Sequence, residues 1–309
     1  MHARILLLPG SENGNASCAC AEQILTDISA SFNHRFTLIR GKLQEEVSDD
    51  LLSQCESSQA VLLGDAQCPG GQRLLDALGL PLRVRSLCVP EAACGRHEKP
   101  VKLYLGTVLS LDEETLRDAL EEAFRFAREE DVRILHVSPT GAAKAEWDAA
   151  IRAQAAANPL VTVDAIAAPA AAHALIAQPG RLGLLLCPPY AGGILEAAAT
   201  AHGTHPEMMY DFAPGDPPCV YAPLVPHALE DASEALPPFA MGQAVARMLR
   251  ASLRLTREAA CLDAAIQNVL SNYASGASSL EGEERSALDL ICDQIAVAGE
   301  LMGRSGILS

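Results

Sequence analysis

The sequence has no apolar run that approaches the roughly 20 residues needed to cross a bilayer. Its N-terminal apolar stretch, residues 5–8, is too short for a signal peptide and is typical of a first buried strand. Basic residues are scarce, with 23 Lys and Arg against 39 Asp and Glu, so the net charge is −16. Because such an acidic surface repels phosphate backbones, we expect no nucleic-acid partner, no membrane association and a cytoplasmic location.

The ten cysteines contain no CxxC pair, the spacing on which many structural zinc sites depend. Cys18 and Cys20 are the only close pair, and side chains two residues apart on a helix point to different sides. We therefore interpret the cysteines as small core residues of a protein in a reducing compartment. A redox or metal role for Cys18 and Cys20 is the alternative.

Short apolar runs alternate with helical patterns along most of the chain. This alternation is typical of a parallel or mixed sheet that helices cover on both sides, so the predicted fold class is α/β. The predicted strands are 4–8, 36–40, 59–64, 83–89, 101–106, 132–137, 160–164, 182–187 and 218–222.

Helix signals accompany these strands. Ser110 and Glu113 have the spacing of a capping box, and the helix that they predict would bury Leu116, Leu120, Phe124 and Ala127 on one face. From about residue 239 the pattern is purely helical. The predicted C-terminal helices are 239–255, 259–269 and 285–302.

The stretch GLLLCPPYAGGILEA, residues 183–197, has the layout of an active-site loop, because a buried strand leads through a turn into a helix. It contains no Lys, His, Ser or Asp. Tyr190 and Glu196 are its acid–base side chains, and no basic neighbour in sequence would lower the pKa of the Cys187 thiol. The loop therefore has the form of a catalytic loop without the usual catalytic side chains.

Several segments, taken in order, resemble the isocitrate/3-isopropylmalate dehydrogenase family of β-decarboxylating hydroxyacid dehydrogenases. The resemblance covers roughly residues 3–270, and the tail beyond about residue 275 has no counterpart. The segments are ILLLPGSENG, SSQAVLLGDAQCPGG, LDALGLPLRVRSLCVP, CPPYAGGILEAA, VYAPLVPHALEDASEALPPFA and AVARMLRASLRL.

This resemblance implies an isopropylmalate-dehydrogenase-like fold, with two α/β domains around a cleft and mixed or parallel sheets covered by helices. Residues 1–90 with 225–309 would form the larger domain, equivalent to the cofactor domain. Residues 91–224 would form the smaller domain, equivalent to the substrate and dimerisation domain. The resemblance also implies a homodimer.

Members of the family use a divalent metal held by aspartates, a lysine, a tyrosine, arginines that clamp substrate carboxylates, and a glycine-containing NAD loop. At the matching positions this chain has other residues. Gly193 and Ala197 stand at the two metal aspartates, Pro169 at the aspartate from the partner subunit, Gly141 at the lysine, Pro189 at an asparagine of the metal motif, Leu75 at one arginine and Pro237 at an asparagine of the NAD motif. Residues 91–100 replace a longer family segment that carries the tyrosine and a further arginine.

Seven residues remain as candidates for a site. Lys144 lies three residues beyond the family's lysine position, and Tyr190 is the tyrosine of the 183–197 loop; both are candidate catalytic groups. Arg85 matches one family arginine, and Arg83 faces the same side of the predicted strand, so the two form a candidate anion clamp or, alternatively, exposed strand-edge charges. The candidate metal ligands, with a surface loop as the alternative, are His202, His205 and Glu207.

We therefore predict a non-catalytic family member that has lost its metal, substrate and NAD sites and serves in binding or assembly. Its partner would be a second copy or an active dehydrogenase subunit, and no cofactor is expected. The alternative is a divergent NAD(P)-dependent oxidative decarboxylase of a 2-hydroxy diacid such as 3-isopropylmalate, isocitrate or tartrate. That alternative requires NAD(P) and Mg²⁺ or Mn²⁺.

Overall fold

The computed structural model describes residues 1–44, 46–89, 101–202, 209–215, 218–224, 236–274 and 286–304. The chain forms two compact units. Unit 1 consists of Met1–Leu78 with Asp216–Ser309, and unit 2 consists of Gly79–Gly215. The domain boundaries that the sequence suggests, after residues 90 and 224, stay a prediction.

The strands of the described residues are short, and most are buried. They are β1 (His2–Leu8), β2 (Arg35–Arg40), β3 (Ala60–Leu63), β4 (Leu82–Val89), β5 (Val101–Val108), β6 (Ile134–Val137), β7 (Val163–Ile166), β8 (Leu184–Cys187), β9 (Tyr210–Ala213) and β10 (Cys219–Pro223).

The α-helices lie between most of these strands as far as β10, and the last three follow one another. They are α1 (Glu12–Phe32), α2 (Asp49–Glu56), α3 (Pro69–Ala77), α4 (Glu113–Glu129), α5 (Ala143–Ala157), α6 (Ala168–Ala177), α7 (Pro189–His202), α8 (Leu236–Ala251), α9 (Thr256–Ala274) and α10 (Ala287–Arg304). Within the described ranges, no helix has the length and apolar character to span a membrane.

Unit 1 contains a parallel sheet in the order β2-β1-β3-β10. Strand β3 is buried at every position, as is most of β1, which is typical of parallel strands that helices cover. Helix α8 packs on β10, and α1 packs on both α8 and α10. The predicted α/β class and the helical C-terminal region are therefore confirmed.

Helix α1 approaches β3 very closely at two glycines. A Cβ on Gly64 would lie 2.2 Å from the carbonyl oxygen of Gly14, and a Cβ on Gly14 would lie 1.8 Å from the carbonyl oxygen of Pro9. The Ser11 hydroxyl caps α1 by accepting a hydrogen bond from the Gly14 amide at 3.0 Å. No larger side chain fits at either glycine without a backbone shift.

Unit 2 contains a mixed sheet in the order β9-β4-β5-β8-β6-β7. Strand β4 is antiparallel to both of its neighbours, β5 and β9. The remaining pairs, β5 with β8, β8 with β6 and β6 with β7, are parallel. The carboxyl ends of β8 and β6 therefore lie side by side, and α7 and α5 follow them.

Two strands of unit 2 differ from the prediction. Strand β7 lies at Val163–Ile166 instead of 160–164, because Leu160 is 92% exposed in the turn before it. The prediction did not include β9, Tyr210–Ala213. Asp211 interrupts its apolar pattern, and a charged residue in so short a run is typical of a loop.

The start of α4 also differs from the prediction. Its N-cap is Asp112, whose carboxylate accepts a hydrogen bond from the Thr115 amide at 2.9 Å. The capping box on Ser110 was therefore wrong: the Ser110 hydroxyl accepts from the Asp112 amide at 3.4 Å instead. Hydrogen bonds from Ser110 and Thr115 lower the pKa of Asp112 to about 2. The predicted buried stripe is confirmed at Leu116, Leu120, Phe124 and Ala127.

Candidate functional site

The candidate site begins where β8 ends and α7 starts. All four residues of β8 are buried, and Pro189 opens the helix. Helix α7 contacts β5 at Gly192, where a Cβ would lie only 2.3 Å from the Thr107 hydroxyl oxygen. This close contact fixes the side of α7 that faces the sheet, and with it the direction in which Glu196 points.

Arg85 is buried on β4 and has a carboxylate partner on the neighbouring strand. It stands directly opposite Asp211 of β9 in the antiparallel register. The Arg85 Nε and Nη2 atoms donate to the two carboxylate oxygens of Asp211, each at 2.6 Å. Such a bidentate pair is a strong, charge-assisted interaction, and it occupies one whole edge of the guanidinium.

Glu196 of α7 reaches the same arginine from the helix side. Its Oε1 atom contacts the Nη1 atom of Arg85, and its Oε2 atom lies 3.8 Å from the Nη2 atom of Arg83. Arg83 and Arg85 therefore share a side of β4, as their spacing predicts, and Glu196 bridges them. Burial and the charge of Arg85 lower the pKa of Arg83, while Asp211 opposes this change.

The positions that the resemblance assigns to metal ligands carry no oxygen ligand on their side chains. Gly193 and Ala197 are both exposed on α7, and a Cβ on Gly193 would meet no atom within 4 Å. Cys187, at the end of β8, is buried, and burial raises the pKa of its thiol. The residues present on this helix do not fit the divalent metal of the family.

Other replaced positions have residues that suit the local backbone. Gly141 has a φ of 76°, a left-handed conformation that favours glycine and would strain a lysine. Pro169 and Pro189 lie in the first turns of α6 and α7, where a proline costs no helical hydrogen bond. These three residues fit turns and helix starts in place of side-chain ligands.

Lys144 and Tyr190 lie at neighbouring strand ends. The Tyr190 hydroxyl accepts a hydrogen bond from the Thr140 amide at 3.3 Å, which joins the start of α7 to the loop before α5. Lys144, in the first turn of α5, donates to Asp148 at 2.6 Å, and Asp148 also accepts from Ser138 at 3.3 Å. The hydrogen bond from Lys144 lowers the pKa of Asp148.

A buried pair beneath this loop holds α5 against β6. The indole Nε1 of Trp147 donates to the Nδ1 of His136 at 3.1 Å. Burial lowers the pKa of His136, so the imidazole is held in its neutral form with the proton on Nε2. Because Nδ1 is already an acceptor for Trp147, this histidine has a structural role in positioning α5.

The predicted metal cluster lies mostly outside the described residues. His205 and Glu207 fall in the gap 203–208, and of His202 only the backbone at the end of α7 is described. Among residues whose positions the structure gives, no three His, Cys, Asp or Glu side chains group together as a metal ion requires. The interpretation of these three residues stays a prediction.

Sequence reasoning did not identify the partners of the arginines. It named Glu196 only as an acid–base side chain of the 183–197 loop and gave Asp211 no role, whereas both contact Arg85. The signal for Glu196 is its position four residues after Gly192, which places both on the sheet-facing side of α7. The signal for Asp211 is weaker, because it needs the register between β4 and β9.

No family model matches the chain. The 3-isopropylmalate dehydrogenase of Listeria monocytogenes is 24% identical to it, over 86% of this chain and 90% of its own length. The 3-isopropylmalate dehydrogenase of Bacillus cereus is 26% identical, over 87% of this chain and 90% of its own length.

Solved structures share the fold. The isocitrate dehydrogenase of Methylococcus capsulatus has a TM-score of 0.74 and 16% identity, covering 96% of this chain and all of the other. The β-decarboxylating dehydrogenase of Thermococcus kodakarensis, solved in its apo form, has a TM-score of 0.74 and 18% identity, covering 97% and 98%. At these identities the likeness shows the architecture of the chain, and its chemistry has to be argued from its own residues.

Proposed function

Since the chain belongs to the isocitrate/3-isopropylmalate dehydrogenase family, we propose that it is a member that no longer catalyses the family's oxidative decarboxylation. In this proposal the metal, substrate and NAD sites of the family reaction are lost, and the fold serves in binding or assembly. It works without a cofactor.

The observation that carries the proposal is the state of Arg85. In the family, the matching arginine offers its guanidinium to a substrate carboxylate. Here the side chain is buried, one edge is held by both oxygens of Asp211, and Nη1 contacts Glu196. Because two carboxylates already contact this guanidinium, few of its N–H groups are available to bind the substrate of the family reaction.

The metal positions support the same conclusion independently. Without carboxylates at Gly193 and Ala197, a divalent ion loses the ligands that would hold it beside the substrate hydroxyl, and several kcal/mol of charge stabilisation go with it. Gly141, in place of a proton-transferring lysine, removes a further factor of about 10²–10⁴ in rate. The segment matched to the NAD loop lies largely in 225–235, outside the described residues, so its loss is argued from sequence alone.

The decisive experiment is an assay of NAD and NADP reduction at 340 nm. The protein is incubated with Mg²⁺ or Mn²⁺ and with 3-isopropylmalate, isocitrate or tartrate, and we expect no turnover above the enzyme-free background. A thermal-shift screen with the same cofactors, metals and 2-hydroxy diacids should show no rise in Tm, because a ligand stabilises only the state that binds it. Turnover that disappears in Arg85→Gln or Lys144→Met would overturn the proposal.

The alternative, a divergent NAD(P)- and metal-dependent decarboxylase, has one observation in its favour. Tyr190 contacts the loop that leads to Lys144, so a tyrosine and a lysine lie at adjacent strand ends although neither occupies its family position. If this alternative is right, Tyr190→Phe and Lys144→Met will each abolish turnover in the same assay. Lys144 forms an ion pair with Asp148, so such activity would require that pair to open.

The proposed assembly is a homodimer through α6 and α7. These two helices pack together, and their outer faces expose Ile176, Tyr190 and Ile194. The two helices together contain a single charged residue of the Asp, Glu, Lys and Arg types, which is Glu196. The whole chain, in contrast, has a net charge of −16. A second copy can therefore approach this face with less repulsion than a surface of average acidity would cause. An active dehydrogenase subunit is the other partner that this face would suit.

The cytoplasmic location expected from the sequence stays a prediction.

A further inference from the structure

Three basic side chains lie together at the amino ends of β1 and β2 in unit 1. His2 and Arg35 are the first residues of their strands and stand side by side in the parallel register, and Arg4 stands beside Thr37. Residues paired in this way point to the same side of a sheet, and so do residues two apart on one strand. All four side chains therefore lie on one side, where the Nε2 atom of His2 is 3.4 Å from the hydroxyl oxygen of Thr37. We call these four residues the amino-end cluster.

Neither arginine of the amino-end cluster has an acidic partner among the described residues. No carboxylate in that part of the chain lies within ion-pair distance of Arg4 or Arg35, although the sequence has 39 Asp and Glu residues. Arg40, on the opposite side of β2, has the usual arrangement, because its Nε and Nη2 atoms donate to Glu22 at 2.5 and 2.8 Å. Two positive charges close together repel each other, so the cluster costs stability as it stands.

Arg4 also has a buried donor that is not satisfied. Its Nε atom is buried and has no hydrogen-bond partner within the described ranges, which costs free energy. Its backbone is fixed on both polar atoms by Gln59: the Arg4 amide donates to the Gln59 Oε1 atom at 2.6 Å, and the Arg4 carbonyl accepts from the Gln59 amide at 2.9 Å. The residue is half-buried, so part of it remains open to solvent.

Protection of a sheet edge explains Arg35 but not Arg4. Strand β2 is the outer strand of the unit 1 sheet, and a charged side chain on an outer strand discourages pairing with another chain. Strand β1, in contrast, is paired on both sides, by β2 and by β3. A half-buried arginine on this inner strand needs another explanation, and an anion from solution is the partner that the cluster lacks.

We infer that the amino-end cluster binds the phosphate group of a small molecule. A carboxylate is flat, and one guanidinium satisfies both of its oxygens, as Arg85 does for Asp211. The cluster offers two guanidinium groups, an imidazole and a hydroxyl from two strands, and a tetrahedral phosphate presents oxygens to all of them. The net charge of −16 repels long polyanions, but salt screens this repulsion beyond roughly 10 Å, so the local positive charges decide the binding of a small anion.

This site is separate from the place where α/β folds usually bind their ligands. Such ligands bind outside the carboxyl ends of the strands, whereas the amino-end cluster lies at the other end. Strand β1 has seven residues, so its two ends are about 20 Å apart. The inference therefore goes beyond the proposed function and does not depend on the loss of the family reaction.

The test is a calorimetric titration of the protein with inorganic phosphate, in a buffer without sulfate, NAD or metal. We expect saturable binding by the wild type, and binding weaker by at least about tenfold in both Arg4→Gln and Arg35→Gln, because each variant loses a charged donor group. Lys42→Gln is the matched control: it removes one exposed positive charge just beyond the carboxyl end of β2 and should bind phosphate as the wild type does. Succinate, whose two negative charges are on flat carboxylates, should bind more weakly than phosphate.

The absence of saturable phosphate binding by the wild type would overturn the inference, and so would equal losses in Arg35→Gln and Lys42→Gln. Succinate that binds as tightly as phosphate would overturn the choice of a phosphate ligand. If Arg4→Gln does not fold, Arg35→Gln carries the test alone, because it changes an exposed residue at the start of an outer strand.

Two further measurements identify the source of the phosphate. Co-sedimentation with vesicles of phosphatidylcholine and phosphatidic acid should show no association, and association that Arg35→Gln removes would overturn the choice of a small molecule. In the thermal-shift screen, a rise in Tm with NADP that Arg35→Gln removes would come from the 2′-phosphate at this cluster and would support the inference. A rise that survives Arg35→Gln would instead indicate a retained cofactor site, which would count against the proposed function and leave the phosphate titrations unaffected.

Discussion

At the residue scale, the pair Arg85–Asp211 is a buried, bidentate ion pair that joins two neighbouring strands. Moving both charges out of water is costly, and their attraction offsets that cost only because the geometry is bidentate. The pair joins the middle of β4 to β9, and Glu196 adds α7. Three elements of unit 2 therefore depend on one guanidinium, which favours a structural role for it.

We expect Asp211→Asn to destabilise unit 2 by about 1.5–3 kcal/mol, because a single neutral acceptor replaces the two carboxylate oxygens that bond Arg85, while Glu196 still balances its charge. The measurement is urea unfolding followed by the fluorescence of Trp147, the one tryptophan of the chain, which is buried in the same unit. Asp164→Asn, at the exposed pair with Arg133, should have a much smaller effect. Equal shifts in the two variants would contradict the structural role of Asp211.

At the element scale, α7 has two neighbouring glycines with opposite surroundings. Gly192 faces the sheet and leaves no space beside Thr107, whereas Gly193 faces outward, and a methyl group added there would meet no atom within 4 Å. The helix is therefore held at Gly192 and free of constraint at Gly193. Packing therefore constrains the residue at position 192 and leaves the choice of residue at position 193 open.

We expect Gly192→Ala to destabilise unit 2 by about 1–3 kcal/mol, because the new methyl group forces α7 away from β5. Gly193→Ala should instead stabilise the protein by about 0.5–1 kcal/mol, since alanine loses less backbone entropy than glycine in a helix. Both values come from the same Trp147 unfolding curves. If the two alanine variants moved the curve in the same direction, the close contact at Gly192 would not determine the position of α7.

The elements that the sequence predicted correctly are those whose signal is local. Fully apolar runs such as β3 and β8 need no knowledge of their neighbours, and the stripe along α4 follows from helical spacing alone. Strand β9 was missed because its central Asp211 is compatible with burial only when Arg85 stands opposite. Its detection requires a strand register, which depends on contacts more than a hundred residues apart along the chain.

The candidate site could be predicted only in part for the same reason. The spacing of Arg83 and Arg85 correctly indicated a shared side of one strand, because alternation is a property of the strand itself. That Glu196 bridges them depends on how α7 is rotated, which Gly192 and Thr107 decide. The sequence therefore identified Arg83 and Arg85 as candidates, but it could not predict that Glu196 pairs with them.

At the scale of the whole molecule, charge is distributed unevenly. The chain is strongly acidic, yet α6 and α7 carry one charged residue between them and expose several apolar side chains. Ile194 of α7 is 65% exposed, an unusual position for a large aliphatic side chain with so little charge around it. A symmetric contact between two copies of this face would bury these side chains on both chains at once.

We expect light scattering at micromolar concentration to give the mass of a dimer, and Ile194→Lys to give that of a monomer. Lysine places two like charges at the centre of a symmetric interface, which opposes association. Leu160→Lys is the control, because Leu160 is 92% exposed but lies on neither helix, and this variant should remain dimeric. A monomeric wild-type protein would rule out the proposed interface.

Unit 2 is a continuous stretch of chain between two parts of unit 1, and its first and last strands are hydrogen-bonded neighbours: Val84 pairs with Phe212 and Arg85 with Asp211. The first and last strands of unit 2 therefore bring its two ends close together. The two ends of unit 2 are held together by hydrogen bonds within its own sheet. A segment with this arrangement can fold on its own, and it tolerates new chain termini elsewhere in its sequence.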